Sequence, residues 1–353
     1  MSPQSLGRTA ANTALTIAIS AAGGFVANRL GAPAGWLMGG AVAVAACGLL
    51  GVPVTMPRPI RDGTFIFTGI TMGTNVARES LQLLGQWPVT VAALILELVI
   101  LIATIGYVLR KVFKLDAGTA YLSSFPGHLS VVMGIAAAGV GDPRQITIIQ
   151  VIRILMLTVM VPIGALFLPV GEYTPPGEVS VMPWTSLIAI IAVCAATGFI
   201  FTRLRIPAGY ALGAMAAATT AKLTGLLDGH MPPLITLATF IMIGALIGSR
   251  FSGITLREFA KASVGGLIGT AIVFVTCTVL SFIAAQLVDM PFGQIWLGLS
   301  PGGLESMGAL GVALGFDTAF IAAHHVARLL LLTIAIPVVA LLVREADSKK
   351  GNP

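Results

Sequence analysis

The sequence predicts an all-α polytopic membrane protein made of two inverted-topology repeats, each with five transmembrane helices plus one re-entrant or broken helix. Composition, unbroken apolar runs and an internal duplication lead to this reading. Of 353 residues, 56% are hydrophobic and only 10% charged, against about 25% charged in an ordinary soluble domain. The mean hydropathy is +0.96. A soluble fold with so few charges could not cover its own surface. A transmembrane β-barrel is excluded because its strands alternate polar and apolar residues, whereas here apolar runs continue across 88–109 and 262–287. Such runs fit helices of about 20 residues, enough for roughly 30 Å of hydrocarbon. About ten of them leave short loops and no room for a soluble domain, so any chemistry must sit inside the helical bundle.

The duplication is read from matched segments. LGAPAGWLMGGA at 30–41 matches LRIPAGYALGAM at 204–215, with Pro33 and Pro207 174 residues apart. FPGHLSVVM at 125–133 matches SPGGLESMG at 300–308, and here Pro126 and Pro301 are 175 apart. Gly73 and Gly248, Asp142 and Asp317, and Arg153 and Arg328 share that offset of 175. The chain therefore divides into an N-terminal repeat (1–170), a linker (171–183), a C-terminal repeat (184–344) and a tail (345–353), the duplicated units being 10–170 and 184–344.

In the first unit the apolar segments are 10–29, 33–52, 63–79, 88–109, a broken stretch 119–140, and 145–169. The second unit follows with 184–203, 207–226, 235–250, 262–287, a broken stretch 293–315, and 319–343. The first segment, Arg8 followed by Thr13–Val26, has the outline of a signal peptide, but the repeat makes it a retained helix. Each broken stretch carries Pro-Gly in its first third, where a continuous helix would be interrupted.

Charge sets the orientation. The linker holds Glu172 and Glu178 and no Lys or Arg, whereas the C-terminal end has Arg344, Lys349 and Lys350. Both follow a complete unit, so the two units face opposite ways. With the broken stretches re-entrant, 15 of the 20 Lys and Arg lie inside, only Arg29, Arg78 and Lys222 lie outside, and Arg153 and Arg328 are left within helices. If all twelve segments spanned, Arg203, Arg205, Arg250, Arg257 and Lys261 would lie outside, against the positive-inside rule. Both termini are then cytoplasmic. The net charge of +6 sits in these loop clusters, so nucleic acid is not an expected partner.

Inverted repeats with interrupted helices recur in secondary transporters. Pro126, Gly127 and His128, and Pro301, Gly302 and Gly303, would each end one short helix and start another, leaving backbone N–H groups at a positive helix end. The plainer alternative is a proline kink. Ser130 and Glu305 stand at matching positions just beyond. Asp142 and Asp317 read as N-caps that fix where the last helices begin. Arg153 and Arg328 lie eleven residues further on, about 16 Å along a helix and near the middle of the hydrocarbon. Arginine there is costly unless paired or hydrated. Either the pair serves substrate or coupling, or it forms internal ion pairs with Glu97 or Glu305. Two cationic forks beside two positive helix ends favour an anionic substrate, a carboxylate by geometry. Glu305, His324 and His325 are the proton-coupling candidates, with a hydrogen-bonded interior histidine as the alternative. Gly69, Gly73, Thr74 and Asn75, and the glycine pairs at 23–24, 39–40 and 265–266, read as close helix contacts. Cys47, Cys194 and Cys277 lie in apolar runs without CxxC spacing, so neither a disulfide framework nor a metal site is expected.

The paired PAGW and PAGY segments, PGHLS, PGGLE and the HHVAR run resemble the AbrB family of bacterial inner-membrane proteins, whose members carry this duplication. The resemblance covers nearly the whole chain and implies an inner-membrane location. Family members are labelled ammonia monooxygenase or regulator, and the name is shared with an unrelated soluble DNA-binding protein. A copper monooxygenase needs clustered His and carboxylate ligands, but the chain has four His, of which only His324 and His325 are close in sequence. The first copy has Ile149 and Gln150 where the second has these histidines, and Ser130 where it has Glu305.

The expected function is a secondary transporter of a small anionic solute, coupled to protons. A membrane-embedded sensor or regulator without transport, and a membrane enzyme, are the alternatives. The expected partners are the lipid bilayer and a small-molecule substrate, with homo-oligomerisation left open and no cofactor. A fluorescent protein fused to the C-terminus should fluoresce, and a cysteine placed in the 171–183 linker should react with an impermeant maleimide from the periplasmic side. The reverse pattern would overturn the topology.

Overall fold

A computed structural model describes residues 3–76, 85–167 and 180–348. Arg78, Glu172, Glu178, Lys349 and Lys350, and with them most of the linker and the end of the tail, lie outside the described residues. The described part is all-helical apart from one isolated bridge between Val181 and His230. There the Met182 N–H donates to the His230 carbonyl at 3.1 Å and the His230 N–H to Ser180 at 2.9 Å.

Among the described residues, two sets of seven helices follow one another in the same order. The first set is α1 (Pro3–Arg29), α2 (Gly35–Leu49), α3 (Arg58–Thr74), α4 (Trp87–Lys111), α5 (Ala117–Ser124), α6 (Leu129–Ala137) and α7 (Pro143–Gly164). The second is α8 (Trp184–Arg203), α9 (Gly209–Leu223), α10 (Pro233–Ser249), α11 (Leu256–Ala285), α12 (Phe292–Leu299), α13 (Leu304–Leu314) and α14 (Thr318–Ser348). Six of these helices, α1, α4, α7, α8, α11 and α14, are long and apolar enough to cross a membrane.

The second helix of each set, α2 and α9, is 15 residues where the sequence suggests 20, whereas the third, α3 and α10, has 17, close to expectation. Fifteen residues reach only about 22 Å. Local chemistry sets these limits. In both Pro-Ala-Gly turns the alanine, Ala34 or Ala208, is left-handed at φ 51° and 52° and delays the helix start until after the proline. Gly51 and Gly225, just past the C-termini, have φ of 86° and 76°, the usual glycine stop.

These short helices make the tightest seams. α3 packs along α9 and its counterpart α10 along α2, so equivalent helices are exchanged between the halves. Equivalent glycines permit the approach. A Cβ on Gly73 would stand 2.7 Å from the Met215 carbonyl, and one on Gly248 2.7 Å from the Ala41 carbonyl. A Cβ on Gly24 would meet the Trp36 backbone, and one on Gly266 would meet Ile152. Around this frame, α1 and α8 are the outermost long helices, with 22% of each apolar window buried, whereas α7 is the innermost at 67%. Exposed side chains such as Phe25, Val99, Ile188 and Phe282 turn apolar surface outward, as lipid requires. The largest core cluster gathers Trp296, Phe292 and Phe320 with residues of α4, α7 and α11.

Gly73→Ala and Gly248→Ala should each destabilise the protein by about 1–3 kcal/mol through overpacking against backbone. Gly63→Ala, in the same helix as Gly73 but with nothing within 4 Å, should be neutral or stabilising by up to about 1 kcal/mol. Unfolding in detergent, followed by circular dichroism, measures all three.

Candidate functional site

Both broken stretches break where the Pro-Gly pairs stand. Asp116 caps α5 through the Thr119 N–H at 2.9 Å, and the helix runs only eight residues before Phe125 turns extended ahead of Pro126. Proline disfavours helical backbone at the residue before it, and Ser300 ahead of Pro301 behaves the same way at φ −54°, ψ 121°. Each break then closes a three-residue turn, with Gly127 N–H to Phe125 O at 3.1 Å and Gly302 N–H to Ser300 O at 2.9 Å. Gly127, at φ 123°, and left-handed His128 redirect the chain into α6, while Gly303 starts α13. The Asp142 N–H donates to the Thr119 hydroxyl at 2.7 Å, so the end of α6 returns to the start of α5. α5 and α6 therefore form a hairpin, and with eight and nine residues its tip lies about 12 Å in.

The arginines meet these tips because their helices are capped at the hairpin base. Asp142 accepts from the Arg144 and Gln145 N–H groups at 2.8 and 3.3 Å, and Asp317 accepts from the Ala319 N–H at 2.9 Å. Arg153 and Arg328 are 4% and 2% exposed. The Arg153 guanidinium donates to the carbonyls of Ser123 (3.2 Å), Ser124 (3.5 Å) and Phe125 (2.7 Å). Arg328 donates to those of Leu299 (3.4 Å), Ser300 (3.0 Å) and Gly302 (3.0 Å). Each guanidinium thus caps the carbonyl end of a half-helix, where a cation is favoured. In both, only Nε is left without a partner.

The two breaks converge on α14. A Cβ on Gly127 would stand 3.7 and 3.6 Å from the Leu329 and Leu332 side chains, and His128 Nε2 contacts the Thr333 hydroxyl at 2.9 Å. These contacts begin one residue beyond Arg328.

The remaining sequence candidates separate by environment. Glu305 folds back over the start of its own helix, its carboxylate 2.8 Å from where a Gly303 Cβ would stand, and accepts from Arg250 at 3.1 Å. That carboxylate fills the positive end of α13, whereas α6 has no acid in its first turn. Ser130 lies in the first turn of α6. His324 has both ring nitrogens engaged, Nδ1 with Phe320 O at 2.9 Å and Nε2 with the Thr90 hydroxyl at 2.8 Å. Its neighbour His325 directs Nδ1 to Ile321 O at 2.8 Å and leaves Nε2 buried without a partner.

Sequence reading assigned Glu97 at most an ion-pair role and gave Cys277 none. In the structure both join this centre. Glu97 is 1% exposed and sits beside Arg328 and within hydrogen-bond reach of the Cys277 thiol. Cys277 in turn lies 3.5 Å from the Ser300 hydroxyl. The available signal was Glu97 itself, the one acid in the run 88–109, since an intramembrane acid is a site candidate by default. Among the described residues no group of three His, Cys, Asp or Glu side chains is placed to hold a metal.

A family model described as Transition state regulatory protein AbrB matches residues 36–344. The chain belongs to the AbrB family. It is 23% identical over 365 residues to "Uncharacterized protein YhjN" of Bacillus subtilis (strain 168), covering 95% of this chain and 94% of that one. It is also 23% identical over 338 residues to "Putative regulator AbrB" of Escherichia coli (strain K12), covering 93% and 94%.

The clamp makes lysine a poor replacement in this AbrB-family chain. Arg153→Lys and Arg328→Lys should each lower stability by about 2 kcal/mol, because one ammonium cannot serve carbonyls spread along a half-helix end. Arg110→Lys, at the end of α4, should change it little. Thermal unfolding of the purified protein tests the contrast.

Proposed function

We propose that this AbrB-family protein is a secondary transporter of a small anionic solute in the bacterial inner membrane, built from two inverted repeats with both termini cytoplasmic. The observation that carries the reading is the meeting of two interrupted helices, each clamped by a buried arginine, on one stretch of α14. Interrupted helices at mid-depth are where secondary transporters bind substrate, and polar backbone away from a helix ladder persists in a membrane only inside protein or along a cavity. The charge of the centre supports an anion. Arg153 and Arg328 repel one another across the interior, Glu97 lies beside Arg328 and Glu305 is held by Arg250, so a further negative charge offsets the second guanidinium. The substrate-contacting set is Pro126, Gly127, His128, Ser130 and Arg153 from the first break, with Pro301, Gly302, Gly303, Glu305 and Arg328 from the second. Exchange of equivalent helices at the α3–α9 and α2–α10 seams supports two related halves that rock or slide against each other.

The regulator wording in the family description and in the name of the Escherichia coli relative favours a second reading, a membrane sensor that binds the same anion without moving it. Reconstituted protein should take up at least one member of a panel of mono-, di- and tricarboxylates, and Arg328→Lys should reduce that uptake by about tenfold or more. Flux of cations or neutral solutes alone would sink the anion reading. Ligand-induced stabilisation without flux would establish the sensor.

A further inference from the structure

The two breaks share an architecture but not a chemistry. At the offset of 175 that relates the halves, Arg328 matches Arg153, but Ser300 matches Phe125, His325 matches Gln150, Cys277 matches Ile102, and Glu97 matches Ile272. Around the first break these positions are apolar or already bonded. Phe125 belongs to a buried apolar cluster, and the Gln150 amide donates to Leu122 O at 3.2 Å. Around the second break they bring together a carboxylate, a thiol, a hydroxyl, an imidazole and a guanidinium, each no more than 2% exposed. Arg328 Nε lacks a partner there, and the Glu97 carboxylate has only the weak Cys277 thiol as a donor. A buried carboxylate so poorly served costs several kcal/mol as an anion unless a cation balances it. Here the available cation is the one an anionic solute would also need.

We propose that Glu97 carries the coupled proton, so that its ionised carboxylate and the transported anion occupy Arg328 in turn. With the anion at Arg328, Glu97 is protonated and neutral. When the anion leaves, the Glu97 O–H bond breaks and its proton passes to the water that takes the anion's place. The carboxylate then balances Arg328. One proton thus travels with each anionic charge. The groups facing Glu97 fit this exchange: Cys277 from α11 and Arg328 from α14. α12 has no titratable residue, His324 is turned to Thr90, and Tyr121 of α5 lies against Gly106, further along α4. This inference deepens the transport reading and rests on it.

Infrared difference spectra of the full chain in nanodiscs test the proton without any solute. With no anion to compete for Arg328, a protonated-carboxyl band should grow in the wild type as the pH is lowered from about 9 to about 5, and should appear at no pH in Glu97→Gln. A band that is missing, or indifferent to pH, overturns the proposal. In proteoliposomes with the carboxylate panel, Glu97→Gln should keep solute exchange across the membrane but lose proton-driven accumulation by about tenfold or more. Glu97→Asp should restore it in part, which a loss of folding would not allow. Wild-type solute flux without proton flux overturns the role of Glu97 and leaves transport standing, whereas no flux of any solute overturns transport itself.

Discussion

Hydrocarbon offers no hydrogen bonds, so every carbonyl freed by a broken helix must be satisfied by protein. In this molecule the obligation falls on two arginines. Arg153 and Arg328 reach the ends of α5 and α12 and donate to three carbonyls each. Without them, two interrupted half-helices at mid-depth would leave a cluster of desolvated acceptors, each costing about 1–3 kcal/mol. With them, the breaks become stable features, and the negative helix end and the cation offset one another. The arginines are therefore structural before they are anything else, and any role in binding uses what remains of their donors.

The clamps can work only because the surrounding frame fixes depth. Asp142 and the Thr119 hydroxyl tie the base of the first hairpin to the start of α7. From that common base, eight residues of α5 and eleven along α7 arrive at similar depth. The glycine seams between the halves hold short helices where a bulkier residue would separate them. Packing, capping and charge thus meet along one stretch of α14, where Gly127 and His128 of one break contact residues 329–333, just past the arginine serving the other.

Much of this was legible in the chain. The matched prolines foretold both breaks to within a residue or two, because proline disfavours helix at the residue before it and here is followed by glycine, whereas Pro162 and Pro337, without that glycine, sit inside α7 and α14. Asp142 and Asp317 were readable as caps for the same reason of locality. The lengths of α2 and α9 were less so. Hydropathy continues past the Pro-Ala-Gly turns and up to the stopping glycines, and only backbone conformation ends those helices early. The partners of the polar side chains were not legible at all. Glu305 lies close in sequence to the second break yet turns to Arg250, and His324 and His325 are adjacent yet differ in whether Nε2 is engaged. A helix rotates each residue by about 100°, so neighbours in sequence face different elements.

What the sequence determined by itself was composition-driven or local: a membrane-embedded helical chain, its duplication, the positions of the breaks and caps, and two arginines displaced from the loops. Only the tertiary structure decided that these arginines cap broken helices, that Glu97 and Cys277 from different halves meet beside Arg328, and that the two breaks differ in polarity. Those outcomes depend on which helix faces meet across separations of more than a hundred residues, and neither hydropathy nor charge counting carries that information.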